Sequence, residues 1–307
     1  MAQTAAEQRL RVAVVGLGSI GGVAAASLAA AGKHDVIACT RRPLEHLTLE
    51  RPEGTVEVAL KSLTDPSQVK PVDWVLLCTK AHETESAGPW LQRLCQPSTR
   101  VAVMQNGIDH AARVAPFIDG ASVVPVIVYY NGERLAPGRV RMSRVAPHDL
   151  IVPADEGGRV FAALFAGTTI SVLLSDNFLT LAWRKLLLNA VANPVSALTL
   201  QRQSVFRRPD VHALCLEILA EAIAVARADG AKLAPDEAER VMTAMLAIPA
   251  ELGSSMYFDR LAGQPLEIEA LTGAIVICGE RYGVATPLNR ALLTMLRAVS
   301  DAAAAKK

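Results

Sequence analysis

Gly16-Leu17-Gly18-Ser19-Ile20-Gly21 stands directly after the apolar stretch Arg11–Val15 and opens the alanine-rich segment Gly21–Ala31, an order that few folds accept. Glycine is needed three times there. Gly16 permits a tight turn, Gly18 lets the backbone approach a pyrophosphate, and Gly21 lets a helix pack closely on a strand. The pattern alone is a weak signal; between a strand and a helix it is a dinucleotide fingerprint. The helix N-terminus then offers backbone N–H groups and a partial positive charge to phosphates. All six residues (Gly16, Leu17, Gly18, Ser19, Ile20 and Gly21) are therefore candidate cofactor contacts.

Three further apolar runs continue the series: Asp35–Cys39, Asp73–Cys78 and Arg100–Met104. Runs without polar alternation fit strands buried on both faces, as in a parallel sheet. Segments 123–130, 138–142 and 150–152 look like further strands, expected to extend that sheet with antiparallel pairing. Beyond about Leu174 helical patterns take over, at 177–192, 211–229, 235–247, 266–282 and 287–302. The expected fold is α/β: an N-terminal Rossmann-like doubly wound sheet over residues 1–175 and a C-terminal all-helical domain over residues 176–307.

Composition removes several function classes. A net charge of +1 provides no global field for nucleic acid or an anionic membrane. The five cysteines are scattered, without redox or metal spacing, and read as buried thiols of a reducing compartment. The histidines form no ligand pair, and no metal is expected. No apolar run reaches the roughly 18 residues of a membrane span. The polar start Met1–Arg11 has no signal core, so a cytoplasmic location is expected. The tail 302–307 reads as a frayed helix end.

The second strand ends Cys39-Thr40-Arg41-Arg42, where an NAD site usually carries an acid for the ribose 2′-hydroxyl. A carboxylate would repel a 2′-phosphate, whereas the Arg41 and Arg42 guanidinium groups can bind one. The cofactor expected is NADP(H). Lys80 and Asn106 each follow a strand, where doubly wound sheets bind ligands.

Lys185, Asn189 and Asn193 recur at i, i+4 and i+8, lining one helical face over roughly 12 Å. Asparagine is a poor helix-interior residue, so two on a leucine-rich helix require a reason. Pro194 should kink or end that helix. A lysine aimed at a ketone suits reduction: hydride arriving at carbon leaves an alkoxide, which an ammonium stabilises and protonates. The alternative is a wet stripe on an amphipathic helix.

Taken in order, Gly16–Gly21, Thr79-Lys80, Asn106-Gly107, Trp183-Arg184-Lys185 with Asn189 and Asn193-Pro194, and Ser254-Ser255-Met256 followed by Glu267 resemble the ketopantoate reductase (2-dehydropantoate 2-reductase) family almost end to end. The resemblance implies that Lys185 is the general acid. It implies that Asn189, Asn193 and Ser255 bind substrate, and that Asn106 lies against both nicotinamide and substrate. Glu267 would lie beside the cofactor and Lys80 near the nicotinamide end. It also implies NADPH, a small 2-oxo acid substrate and a homodimer through the helical domain. Two segments depart from the family pattern. Tyr129-Tyr130-Asn131-Gly132-Glu133 lacks a Thr-His turn, and the loop 196–208 carries Gln201, Arg202, Gln203, Arg207 and Arg208. Those loop arginines could clasp an extra carboxylate or simply be solvated. Two other readings therefore stay open: a reductase of a different 2-oxo acid, and a regulator that binds NADP(H) without consuming it.

Overall fold

Strands that are apolar on both faces suit the interior of a parallel sheet, and here they occupy it. The computed structural model describes residues 9–304; the first eight residues and the tail end 305–307 lie outside the described residues. The chain begins with β1 (Arg11–Val15), α1 (Ser19–Ala31), β2 (Asp35–Cys39), β3 (His46–Arg51), β4 (Gly54–Ala59) and β5 (Lys61–Leu63). There follow β6 (Trp74–Leu77), α2 (Thr84–Leu94), β7 (Arg100–Val103), α3 (His110–Val114) and β8 (Ser122–Pro125). Six of these strands form one sheet in the order β5-β2-β1-β6-β7-β8, every pair parallel. This is the order of a dinucleotide-binding sheet, with its switch point between β1 and β6.

The later strands do not extend that sheet with antiparallel pairing, as the sequence suggests. β8 joins it in parallel. β9 (Ile127–Val128), β12 (Leu150–Pro153) and β13 (Val172–Ser175) form a separate three-stranded sheet. β10 (Asn131–Ala136) and β11 (Arg139–Ser143) join β3 and β4 in a four-stranded one. The reason lies in α1, whose residues Gly21–Leu28 are all buried. A helix apolar all round needs cover on more than the side facing its own sheet. Val140 supplies some of it, so close that a Cβ on Gly22 would meet its side chain at 2.7 Å. α4 (Glu156–Leu164) precedes β13.

The remaining chain is helical: α5 (Phe178–Thr199), α6 (Pro209–Ala228), α7 (Glu237–Ala247), α8 (Ser255–Leu261), α9 (Ala274–Tyr282) and α10 (Pro287–Ala304). A π-helical turn, Glu269–Gly273, leads into α9. Pro194 does not end α5, which runs on to Thr199. Losing one backbone donor costs about 3 kcal/mol, and burial of Val191, Val195 and Ala197 in the helical core offsets it. The Ser196 hydroxyl also donates to the Ala192 carbonyl at 2.5 Å.

Contacts divide the chain into two compact units. The first holds residues up to Gln105 together with His110–Phe178; the second holds Asn106–Asp109 and the chain from Leu179 onward. Among the described residues no helix is long and apolar enough to cross a membrane.

Candidate active site

Close contacts within the first unit explain its glycine turn. Gly16 adopts φ +95°, which disfavours any side chain, and a Cβ there would meet the Thr79 backbone nitrogen at 2.8 Å. A Cβ on Gly21 would collide with the Gly16 carbonyl oxygen. At Gly18 it would meet nothing within 4 Å, so the middle of the turn is open to a ligand. α1 starts with no side-chain cap and no acid in its first turn, leaving no local charge opposed to an anion. Leu17, Ser19 and Ile20 are half-buried around the turn. Buried Tyr130 donates from its hydroxyl to the Ile20 carbonyl at 2.9 Å, so the segment that departs from the family pattern braces this turn.

The Gly16 N–H donates to the Cys39 carbonyl at 3.2 Å, which sets the end of β2 beside the turn. Arg41 and Arg42 follow at once, both exposed. Arg41 pairs with Glu83 at 2.5 Å, an acid from the loop after β6 that sequence reading missed. Lys80, half-buried, leads into the short 3-10 turn Ala81–Glu83. The candidates of this unit thus sit at the carboxyl ends of β1, β2 and β6, where such sheets bind ligands.

In the second unit α5 presents the predicted face, and its neighbours hold it. Trp183, fully buried, donates its indole N–H to Asp229 at 2.8 Å. Arg184 grips buried Glu237 with two bonds, of 2.7 and 3.1 Å. Between these anchors and the apolar Leu186-Leu187 pair, Lys185 has little freedom to shift along or around the helix. Although part of the residue remains exposed, burial around its ammonium lowers the pKa from 10.5 to about 8, a fall that the Glu267 carboxylate opposes. Glu267, 5% exposed, accepts from Asn106 Nδ2 at 3.1 Å.

Further along the same face, Asn193 Nδ2 donates to Asn189 Oδ1 at 3.2 Å. Asn193 Oδ1 accepts from the Ser255 hydroxyl and the Met256 N–H, each at 3.4 Å. The Met256 N–H can only donate, so it fixes which way the Asn193 amide points. Ser254, capping α8 through the Tyr257 N–H at 3.1 Å, also meets Ser196 at 2.6 Å. One constellation of this unit therefore gathers Asn106, Glu267, Lys185, Asn189, Asn193 and Ser255. It offers a cation with a depressed pKa, a buried carboxylate and neutral hydrogen-bonding groups. Such a set suits holding a small polar acid and protonating an oxygen on it. Among the described residues no group of three or more His, Cys, Asp or Glu side chains is placed to hold a metal ion.

The sequence profile described as Ketopantoate reductase PanE/ApbA matches residues 12–154, and that of the C-terminal part of the same family matches residues 177–300. The chain belongs to the ketopantoate reductase family. A 2-dehydropantoate 2-reductase of Caulobacter vibrioides is 37% identical over 94% of this chain and 99% of its own length. One from Mycobacterium tuberculosis is 38% identical over 94% and 98%. A dimeric ketopantoate reductase from Staphylococcus aureus superposes with a TM-score of 0.85 at 26% identity, covering 96% of this chain and all of that one.

Within this family frame, the stretch 196–208, whose first four residues complete α5, is tied down by the chain itself. Arg202 donates to the Glu251 carbonyl at 2.8 Å, buried Gln203 to the Met245 carbonyl at 2.7 Å, and Arg208 pairs with Asp210 at 2.7 Å. Sequence reading missed Asp229, Glu237 and Ser196 as supports of the site. Their partners lie far away in the chain, and an isolated acid or serine on a helix carries no such signal.

Proposed function

We propose that this enzyme uses NADPH to reduce the keto group of a 2-oxo acid, 2-dehydropantoate first among candidates, with Lys185 as the general acid. The observation that carries this reading is Lys185 itself, held between anchored neighbours, facing along two asparagines and coupled to buried Glu267. A regulator that only sensed the nucleotide would need no such proton donor.

The cradle fits NADPH: Gly18 leaves open space, the first turn of α1 lacks acids, and two guanidinium groups follow β2. When bound, the cofactor supplies the hydride that reduces the keto carbon. Gly16–Gly21 would hold its pyrophosphate, Arg41 and Arg42 its 2′-phosphate, and Lys80, Asn106 and Glu267 its nicotinamide end. Asn189, Asn193 and Ser255 would bind the substrate's hydroxyl and carboxylate, with Asn106 touching it as well. Lys185 stabilises the alkoxide and delivers its proton to that oxygen. The labour divides between residues 1–175 for the nucleotide and 176–307 for substrate and acid, with two exceptions: Asn106 also touches substrate, and Glu267 also serves the cofactor. We place the protein in the cytoplasm, supported by five free and buried cysteines, and as a homodimer, supported by the dimeric Staphylococcus aureus relative.

NADPH oxidation with 2-dehydropantoate beside other branched 2-oxo acids tests this. The expected result is the highest kcat/KM for 2-dehydropantoate, and a loss of roughly 10²–10⁴-fold in turnover for Lys185→Ala with NADPH still bound. A higher ratio for another acid would reassign the substrate. Tight NADPH binding without consumption of any acid would make the chain a sensor.

A further inference from the structure

Gln105 lies two residues beyond the end of β7 and is only 6% exposed. Its amide is saturated with partners. Arg113 Nη1 donates to its Oε1 at 2.9 Å. Its Nε2 donates to Thr79 Oγ1 and Thr84 Oγ1, both at 3.0 Å, with the Lys80 carbonyl at 3.4 Å. Thr84 gives its own hydroxyl proton to the Ala81 carbonyl at 2.8 Å, which leaves its oxygen free to accept. A guanidinium only donates and a carbonyl only accepts, so the amide has one orientation. Flipping it would set donor against donor at Arg113 and acceptor against acceptor at Lys80. The Gln105 carbonyl is itself 2.9 Å from His110 Nε2. One buried side chain therefore ties the loop after β6, which carries Lys80, to the chain just beyond β7.

We infer that Gln105 is a positioning residue for hydride transfer, holding the Lys80 loop against the chain just beyond β7 in the register that the role of Lys80 requires. This rests on the reductase reading. A buried amide is costly unless every polar atom is satisfied, and leucine would fill the same volume without that demand. What leucine cannot do is fix two loops against each other. Reacting groups misplaced by about 1 Å lose on the order of 10²-fold in rate.

The experiment compares Gln105→Leu, which removes all the polar contacts, with Gln105→Glu, which keeps the acceptor for Arg113 and loses both donors. Both should lower kcat by roughly 10–100-fold while the NADPH dissociation constant stays within about threefold of wild type. The primary isotope effect with NADPH deuterated at the transferred position should rise, as hydride transfer becomes rate-limiting. Thr79→Val breaks the same tie from its other end and should lower kcat too, and Thr79→Ser should restore it; this pair decides the matter if Gln105→Leu does not fold. Turnover within about threefold of wild type in a folded Gln105→Leu, or a kcat loss matched by an equal loss of NADPH affinity, overturns the inference. So does a Gln105→Glu enzyme indistinguishable from wild type. A wild type that consumes no NADPH with any 2-oxo acid sinks the reductase reading beneath it, whereas an active wild type beside an unimpaired leucine variant sinks this inference alone.

Discussion

At Lys185 two opposed effects set when the proposed general acid can act. Burial disfavours the ammonium, and the Glu267 carboxylate favours it; burial wins, leaving a pKa of about 8. A general acid works only when protonated. Turnover of the chemical step should therefore be full below pH 8 and fall about tenfold per unit above it. Glu267→Gln removes the stabilising charge while keeping a side chain of the same size. The lysine pKa should then fall further and the alkaline limb move to lower pH, as read by single-turnover NADPH oxidation across pH. An unmoved limb, or one moved upward, would detach Glu267 from the acid. Lys185, Asn189 and Asn193 were legible in the sequence because helical spacing alone sets them on one face. Glu83 was not, since its partner Arg41 lies 42 residues away and only the sheet brings the two loops side by side. Gln105 was visible as the residue before Asn106-Gly107, but its meaning lies in Thr79, Thr84 and Arg113, which no spacing rule connects to it.

Elements carry the precision that those residues need. α5 is pinned beside its lysine by the Trp183–Asp229 bond and the Arg184–Glu237 pair. Glu237 is buried, so truncating it removes both carboxylate bonds from a partly buried guanidinium. Glu237→Ala should lower unfolding stability by about 1–3 kcal/mol, a decrease visible in the urea midpoint. The neighbouring Asp236–Arg240 pair, with side chains 57% and 59% exposed, provides the control. Asp236→Ala should leave the urea midpoint nearly unchanged, since an exposed pair is screened by solvent. Equal losses in the two variants would mean that burial of the Arg184 pair does not matter. The same contrast between local pattern and tertiary packing decides which elements the sequence announced. β1, β2, β6 and β7 were plain because burial on both faces leaves an uninterrupted apolar run. The hairpin β3–β4 was not, because His46–Ala59 is a mix of apolar and polar residues whose Leu47 and Leu49 acquire their meaning only as cover for α1. The length of α5 was misjudged for a similar reason: the cost of Pro194 is local, and the packing that overrides it is not.

For the molecule as a whole, the proposed division of labour makes two kinds of damage separable. Arg41 and Arg42 belong to the first unit, Asn193 and Ser255 to the second; Arg41 pairs with Glu83, whereas Asn193 bonds to Asn189, Ser255 and the Met256 N–H. On the proposed assignment Arg41→Ala removes a charge-assisted contact to the 2′-phosphate, but Glu83 already holds that guanidinium and must share it. NADPH affinity should therefore fall by about tenfold, near the lower end of what losing such a bond costs. NADH, which has no 2′-phosphate, should bind the variant as it binds wild type. Asn193→Ala and Ser255→Ala should instead raise the KM for the 2-oxo acid, and lower kcat where orientation suffers, with NADPH affinity unchanged. Groups that share no partner act additively, so Arg41→Ala combined with Ser255→Ala should show the product of the single effects on kcat/KM. Cofactor titration and steady-state kinetics on wild type and these four variants measure all of this. An Arg41→Ala protein that loses NADH and NADPH alike would remove the 2′-phosphate from the assignment. A double variant far from the product would show that nucleotide and substrate are not held independently.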